Sequence, residues 1–330
     1  MTGSKYPIIA GPMFLVSDEK LTAAACRAGI VGGFPSLNWR TSEKFREAVR
    51  KIKADSNGHP FAVNIIVNKS NIRAKADLKV CVEEGVPMYV TSLGSPKDVI
   101  IEAKKYGAKV FCDVTTLDYA KKVQDLGADG VIAVSAGAGG HAGPISPMVL
   151  VPYLVKHLQI PVVLAGGVAT GRGLAAALAL GASAVQIGTR FIASTECCAD
   201  QTYKDAIVRS APEDIVLTPK LTGTPAAVIR TAFVEKLGLE LNSVEKMLLK
   251  NDATKKWFKL LVNARGALLL RNSAAKASWK EVWSAGQGVG LIDSVESVQD
   301  IVDEIIRECE ETMKGFCVPA KRDRSHEASV

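Results

Sequence analysis

Residues 161–191 read PVVLAGGVATGRGLAAALALGASAVQIGTRF, two short apolar runs that each end in glycine and flank one helical stretch. Near-continuous apolar character is what a strand buried on both faces of a parallel sheet requires. The pattern recurs upstream as PIIAG from Pro7, VGGF from Val31, FAVNIIV from Phe61, MYVTS from Met88, KVFCDV from Lys109 and GVIAVS from Gly130. Together with PVVLAG from Pro161 and AVQIGT from Ala184, these runs make eight strand–helix units. Ser17–Asp18, Thr41–Ser42 and Ser95–Pro96 stand where helices begin, and Gly29, Gly107, Gly127 and Gly181 where they stop. Length and right-handed crossovers favour closure into a (β/α)8 TIM barrel, an α/β fold; an open doubly wound sheet is the alternative.

The barrel is expected over residues 1–195. Residues 196–280 leave the βα rhythm and read as a helical insertion or lid after strand eight, carrying TPKLTGTPAAVIRTAF and SVEKMLLKNDATKKWFKLLVNA. Residues 281–318 return with WSAGQGVGLID and the amphipathic stretch SVESVQDIVDEIIRECEETMKGF, which is expected to pack back on the barrel. The tail, 319–330, reads as mobile.

At 330 residues and 48% hydrophobic, the chain can bury a large core. It shows no secretory leader and no uninterrupted apolar run of the ~20 residues a spanning helix needs, so a cytoplasmic protein without membrane contact is expected. The net charge of +7 is dispersed among acidic residues, without an aromatic-rich basic patch. That pattern argues against nucleic acid and for anionic small molecules. The seven cysteines show neither C-x-x-C nor Cys/His metal spacing and read as reduced thiols, with no metal site. Apolar surface on the last helix or the lid could support a homodimer.

In a barrel of this kind ligands are held where strands end and βα loops begin. Polar and glycine residues collect there: Gly11, Pro12 and Met13, then Asn64, Thr91–Ser92, Asp113, Thr115 and the glycine loop after strand six. Gly166 and Gly167 after strand seven, with Gly188 and Thr189 after strand eight, offer backbone N–H groups and little bulk where barrels hold a phosphate. Tight turns alone are the plainer reading of each glycine. The G-x-G of GRG does not extend to a dinucleotide fingerprint.

His141 sits in VSAGAGGHAGPISP, a loop open enough for a planar ring to approach the backbone. It is either a surface residue or a proton-transfer group beside bound substrate, since imidazole titrates near neutrality. Asp113 could bind substrate or fix a loop, and Cys112 beside it reads as barrel packing.

Taken together, PIIAGPM, PFAVNI, AGGHAG, PVVLAGGVATGRG, GASAVQIGTRF and WSAGQGVGLID resemble the nitronate monooxygenase family, formerly 2-nitropropane dioxygenases, and the related flavin-dependent enoyl-acyl carrier protein reductases. The resemblance implies noncovalent flavin mononucleotide (FMN). Its phosphate would rest on Gly166, Gly167, Gly188 and Thr189, and its ring against Gly11, Pro12 and Met13, with Asn64 near the pyrimidine edge. Gly139 and Gly140 would let their loop approach, while Ser284, Gly286 and Gln287 would close over the ring. His141 matches the catalytic base of the monooxygenases. The implied reaction takes a small-molecule alkyl nitronate, or a nitroalkane, with O2 to a carbonyl compound and nitrite. The alternative is an NAD(P)H-dependent reductase of enoyl-acyl carrier protein or quinones. A phosphate-sugar barrel enzyme without flavin would explain the strand seven and eight loops, but neither WSAGQGVGLID nor the glycine–histidine loop.

Overall fold

The computed structural model describes residues 2–68, 70–221, 224–240 and 282–315. Eight parallel strands close into a barrel in sequence order, with β1 (Ile8–Ala10) paired to both β2 (Val31–Pro35) and β8 (Ala184–Ile187). Between them run β3 (Phe61–Ile66), β4 (Met88–Ser92), β5 (Lys109–Val114), β6 (Gly130–Val134) and β7 (Val162–Ala165). The TIM barrel expected from the apolar runs is therefore the fold, and closure excludes the open sheet.

Seven helices lie between successive strands: α1 (Glu19–Arg27), α2 (Ser42–Asp55), α3 (Ala74–Glu83), α4 (Lys97–Lys104), α5 (Leu117–Asp125), α6 (Pro147–His157) and α7 (Gly171–Ala179). Local chemistry fixes their starts. Asp18 caps α1 by accepting from Leu21 N–H at 2.9 Å, and Thr41 caps α2 from Lys44 N–H at 3.2 Å. At Ser95–Pro96 the outcome differs, because Pro96 takes the N-cap position of α4 and has no side-chain acceptor to offer.

Side chains alternate across each strand. One set fills the barrel interior: Ile9, Val31, Ala62, Met88, Val90, Phe111, Ile132, Val163 and Ala165. The other set packs outward beneath the helices with Phe34, Phe45, Tyr89 and Phe191. Each such buried large side chain contributes about 2 kcal/mol of transfer free energy.

After β8 come a short helix α8 (Thr189–Ile192) and α9 (Gln201–Arg209). The segment expected as helix around TPKLTGTPAAVIRTAF is instead largely an antiparallel hairpin, β9 (Ile215–Thr218) with β10 (Ala226–Ile229), followed by the short α10 (Ala232–Leu237). Pro219 and Pro225 bar a continuous helix there, and the run AAVI is buried throughout. The stretch SVEKMLLKNDATKKWFKLLVNA, the tail 319–330 and Cys317 lie outside the described residues.

The returning helix α11 (Val298–Gly315) buries Val298, Ile301, Val302, Ile305 and Cys309, one face at helical spacing. It lies so close to α7 that a Cβ on Gly171 would sit 2.3 Å from the Ile305 carbonyl oxygen. Among the described residues no helix is long and apolar enough to cross a membrane.

Candidate active site

The floor of the site follows from strand alternation. Two residues beyond Ala62, Val90, Phe111 and Ala184 on the inward face stand Asn64, Ser92, Asp113 and Gln186, at the C-terminal ends of β3, β4, β5 and β8. Asn64 donates through Nδ2 to the Val90 carbonyl at 3.2 Å and to Ser92 Oγ at 2.8 Å. Ser92 in turn donates to Asp113 Oδ2 at 2.5 Å. A carbonyl can only accept, so Val90 fixes the amide with its nitrogen toward β4. Desolvation pushes the Asp113 carboxyl up to about 6, against the lowering effect of the Ser92 hydroxyl. Asp113 Oδ1 and Gln186 Oε1 are shielded from solvent without a hydrogen-bond partner among the described residues. The Cys112 thiol, pushed up to about 11 by burial, is a core group, as its apolar surroundings require.

The rim is built from loops. Gly11 N–H donates to the Ile187 carbonyl at 2.8 Å, carrying the end of β1 along β8. Met13 follows with its sulfur 3.5 Å from where a Cβ on Gly188 would lie. The structure thus brings the Gly11–Pro12–Met13 turn against the Gly188–Thr189 turn. Gly166 and Gly167 both have positive φ, +114° and +75°. A Cβ on Gly166 would lie 2.8 Å from Ser135 Oγ, whereas one on Gly167 would meet nothing within 4 Å. The first glycine is a packing necessity, and the second leaves open space at the mouth.

The loop after β6 and the returning segment interlock. Gln287 N–H donates to the Gly137 carbonyl at 3.0 Å, and Gly286 N–H donates to Thr189 Oγ1 at 3.0 Å. A Cβ on Gly139 would lie 2.9 Å from the Gly286 nitrogen. Tyr203 on α9 holds the segment from outside, donating to the Ser284 carbonyl at 2.5 Å and stacking on Trp283 at 5.7 Å. Arg190, in the G-T-R-F turn, donates to the Ser294 carbonyl at 3.1 Å and pairs with Glu296 at 2.7 Å. A cavity of about 430 Å³ opens beside Gly137, Gly167 and Gln287, walled by Pro147, Pro212 and Leu291.

His141 follows Gly140, which pairs with Ala227 of β10 through hydrogen bonds of 3.0 and 2.7 Å. The imidazole is exposed at the mouth, yet the protein around it desolvates the ring and holds its pKa below the ordinary value. Desolvation thereby favours the neutral ring, the form able to accept a proton.

The residues named from the sequence stand at the C-terminal ends of the strands, on the turns and loops that follow them, or on the segment folded over them. Asn64 is the floor member, and Ser284 and Gln287 are exposed. Gln186 and Tyr203 were not legible as site residues. A lone amide two positions before the glycine of AVQIG was the available sign of Gln186, because period two turns it inward. The GRG of the strand-seven motif serves packing: Glu308 of α11 accepts from Gly171 N–H at 2.6 Å and from Arg172 N–H at 3.3 Å, occupying the start of α7.

Comparison with known proteins identifies the family. A sequence model of the nitronate monooxygenase family matches residues 1–308. The solved structure of FabK from Thermotoga maritima superposes with a TM-score of 0.82 at 34% identity, over 95% of this chain and 96% of that one. The chain is 29% identical to the (3aS,4S,5R,7aS)-5-hydroxy-7a-methyl-1-oxo-octahydro-1H-indene-4-carboxyl-CoA dehydrogenase of Rhodococcus jostii, covering 93% of each. It is also 29% identical to the nitronate monooxygenase of Paraburkholderia phytofirmans, covering 95% of each. A closed eight-stranded barrel that superposes on FabK and is matched by the family model over nearly its whole described length belongs to the nitronate monooxygenase family and is a flavin oxidoreductase.

Proposed function

We propose that the chain is an FMN-dependent nitronate monooxygenase, oxidising alkyl nitronates, and nitroalkanes after deprotonation, with O2 to carbonyl compounds and nitrite. The observation that carries this reading is the neutral His141 imidazole exposed over a glycine-lined mouth.

The residues fit FMN. The open space at Gly167 and the bare backbone at Gly188 suit a phosphate, and the orphaned Gln186 Oε1 suits a polar ring edge. Backbone N–H groups of Gly166, Gly167 and Gly188 and the Thr189 hydroxyl would hold the phosphate. Gly11, Pro12 and Met13 would support the ring, with Asn64 at its edge and Gly139, Gly140, Ser284, Gly286 and Gln287 around it. When bound, the cofactor supplies the electron transfer. His141 takes the carbon-bound proton of a neutral nitroalkane, and the closed segment from Ser284 to Gln287 orients the substrate and limits water.

A second reading is an NAD(P)H-dependent flavin reductase acting on an enoyl-acyl carrier protein or a quinone. The exposed apolar side chains Phe14, Leu15 and Leu93 on the loops after β1 and β4 favour it, since they suit a substrate with an apolar body. The likeness to FabK and to a CoA-ester dehydrogenase supports it as well. Anaerobic mixing of the flavin-loaded protein with an alkyl nitronate, and separately with reduced nicotinamide, tests both. Flavin bleaching by the nitronate is the expected result. Rapid bleaching by the nicotinamide alone would select the second reading.

A further inference from the structure

The chain of hydrogen bonds across the floor has a fixed direction. With the Asn64 amide donating to Ser92 Oγ, the hydroxyl proton goes to Asp113 Oδ2, and the chain ends on a carboxyl whose Oδ1 is unmatched. Among the described residues burial raises this carboxyl and the Ser92 hydroxyl lowers it, with no cation beside it. From β3 and β4 it faces Asn64 and Ser92, which do not titrate. Cys112, its neighbour on β5, is pushed up to about 11 by burial, and Tyr119 on α5 is raised too, so both are uncharged near neutrality. His141, in the loop after β6, titrates below its ordinary value. A serine, an asparagine and a strand carbonyl would close the same network without charge, so an unpaired acid at the ligand-binding end of a barrel signals a ligand contact.

Charge also orients the ligand. A carboxyl on β5 disfavours an anion nearby, whereas the open glycine backbone after β7 and β8 favours one. A molecule with a phosphate at one end and a neutral ring at the other is thereby aligned with its ring toward β3–β5. Building on the flavin reading, we propose that Asp113 Oδ1 accepts a hydrogen bond from a ring N–H of the cofactor, coupling flavin binding to ionisation of this carboxyl.

Riboflavin is the probe, because it lacks the phosphate whose own second ionisation, near ~6, would overlie the signal. Its dissociation constant is measured by fluorescence quenching on the full-length flavin-free protein at pH 5 and pH 8, in wild type and Asp113→Asn. Comparing the two proteins removes the contribution of His141, which both retain. The weakening from pH 8 to pH 5 is expected to be about tenfold greater in wild type than in Asp113→Asn. An equal weakening in both, with riboflavin bound, overturns this inference and leaves the flavin reading standing. Failure of both riboflavin and FMN to bind overturns the two together. Should Asp113→Asn fail to fold, calorimetry on wild type at pH 6 in buffers of differing ionisation enthalpy decides. Release of about half a proton per riboflavin is expected, and no release overturns the coupling.

Discussion

Thr189 Oγ1 accepts the backbone N–H of Gly286 at 3.0 Å, joining the turn after β8 to a segment 97 residues further along the chain. The hydroxyl keeps its own proton for a ligand while its lone pair holds the segment in place. Thr189→Val should leave the buried Gly286 N–H without a partner, lowering stability by about 1–3 kcal/mol. It should also weaken FMN more than riboflavin, because the proposed phosphate cradle would lose that donor. Thermal unfolding and parallel titrations of the two flavins check both effects.

Two glycines of the mouth should respond differently to a methyl group. A Cβ on Gly286 would lie 2.4 Å from the Gly137 carbonyl oxygen, so Gly286→Ala should shift the segment and destabilise by about 1–3 kcal/mol. A Cβ on Gly167 meets open space and carries only the penalty of its φ of +75°, about 1–2 kcal/mol. Yet Gly167→Ala fills the space assigned to phosphate and should lose FMN affinity out of proportion to its change in melting temperature. Full FMN affinity in Gly167→Ala would remove that residue from the cradle.

His141→Gln should retain flavin, keep most turnover on a preformed nitronate and lose it on the neutral nitroalkane. In wild type, the rate on the nitroalkane should fall as pH drops through a value below the ordinary imidazole range, because desolvation depresses the His141 pKa and the neutral ring is the proposed base. Equal loss on both substrates would argue against proton abstraction.

Asp113 also predicts a stability profile. Burial raises its folded pKa to about 6, above the carboxylate reference, so the folded chain holds a proton that the unfolded chain has released between these values. Stability is full below the unfolded pKa and is lost as pH rises through about 6. Asp113→Asn should therefore be more stable than wild type at pH 8 by on the order of 1–3 kcal/mol, with the difference vanishing near pH ~4. Denaturant titrations at the two pH values measure it.

Glu308 supplies a contrast outside the mouth. Its carboxylate accepts from Gly171 and Arg172 N–H at the start of α7, so Glu308→Ala should cost about 1 kcal/mol and leave flavin affinity unchanged.

Every barrel strand was legible because each is a short apolar run bounded by turn residues, a pattern parallel burial imposes locally. The hairpin of β9 and β10 was not, since AAVI is equally apolar as a strand or as a helix face, and only its pairing with Ile215–Thr218 decides. The glycines of the mouth and His141 could be named from their loops. Which glycine packs and which opens to a ligand depends on neighbours distant in sequence, such as Ser135 beneath Gly166. The chain from Asn64 through Ser92 to Asp113 is a product of register: Asn64 stands beside Val90, and Thr91 beside Cys112, placing three dispersed polar residues in one row. The lowered pKa of His141 needs the surrounding protein and has no local signature.

The pairing of Gly140 with Ala227 gives the insertion a mechanical hold on the loop after β6. His141 is the next residue, so any swing of the β9–β10 ribbon drags the imidazole along as a lever drags its load. Substitutions that reseat the ribbon therefore move the backbone that carries His141 while leaving the eight barrel strands unchanged.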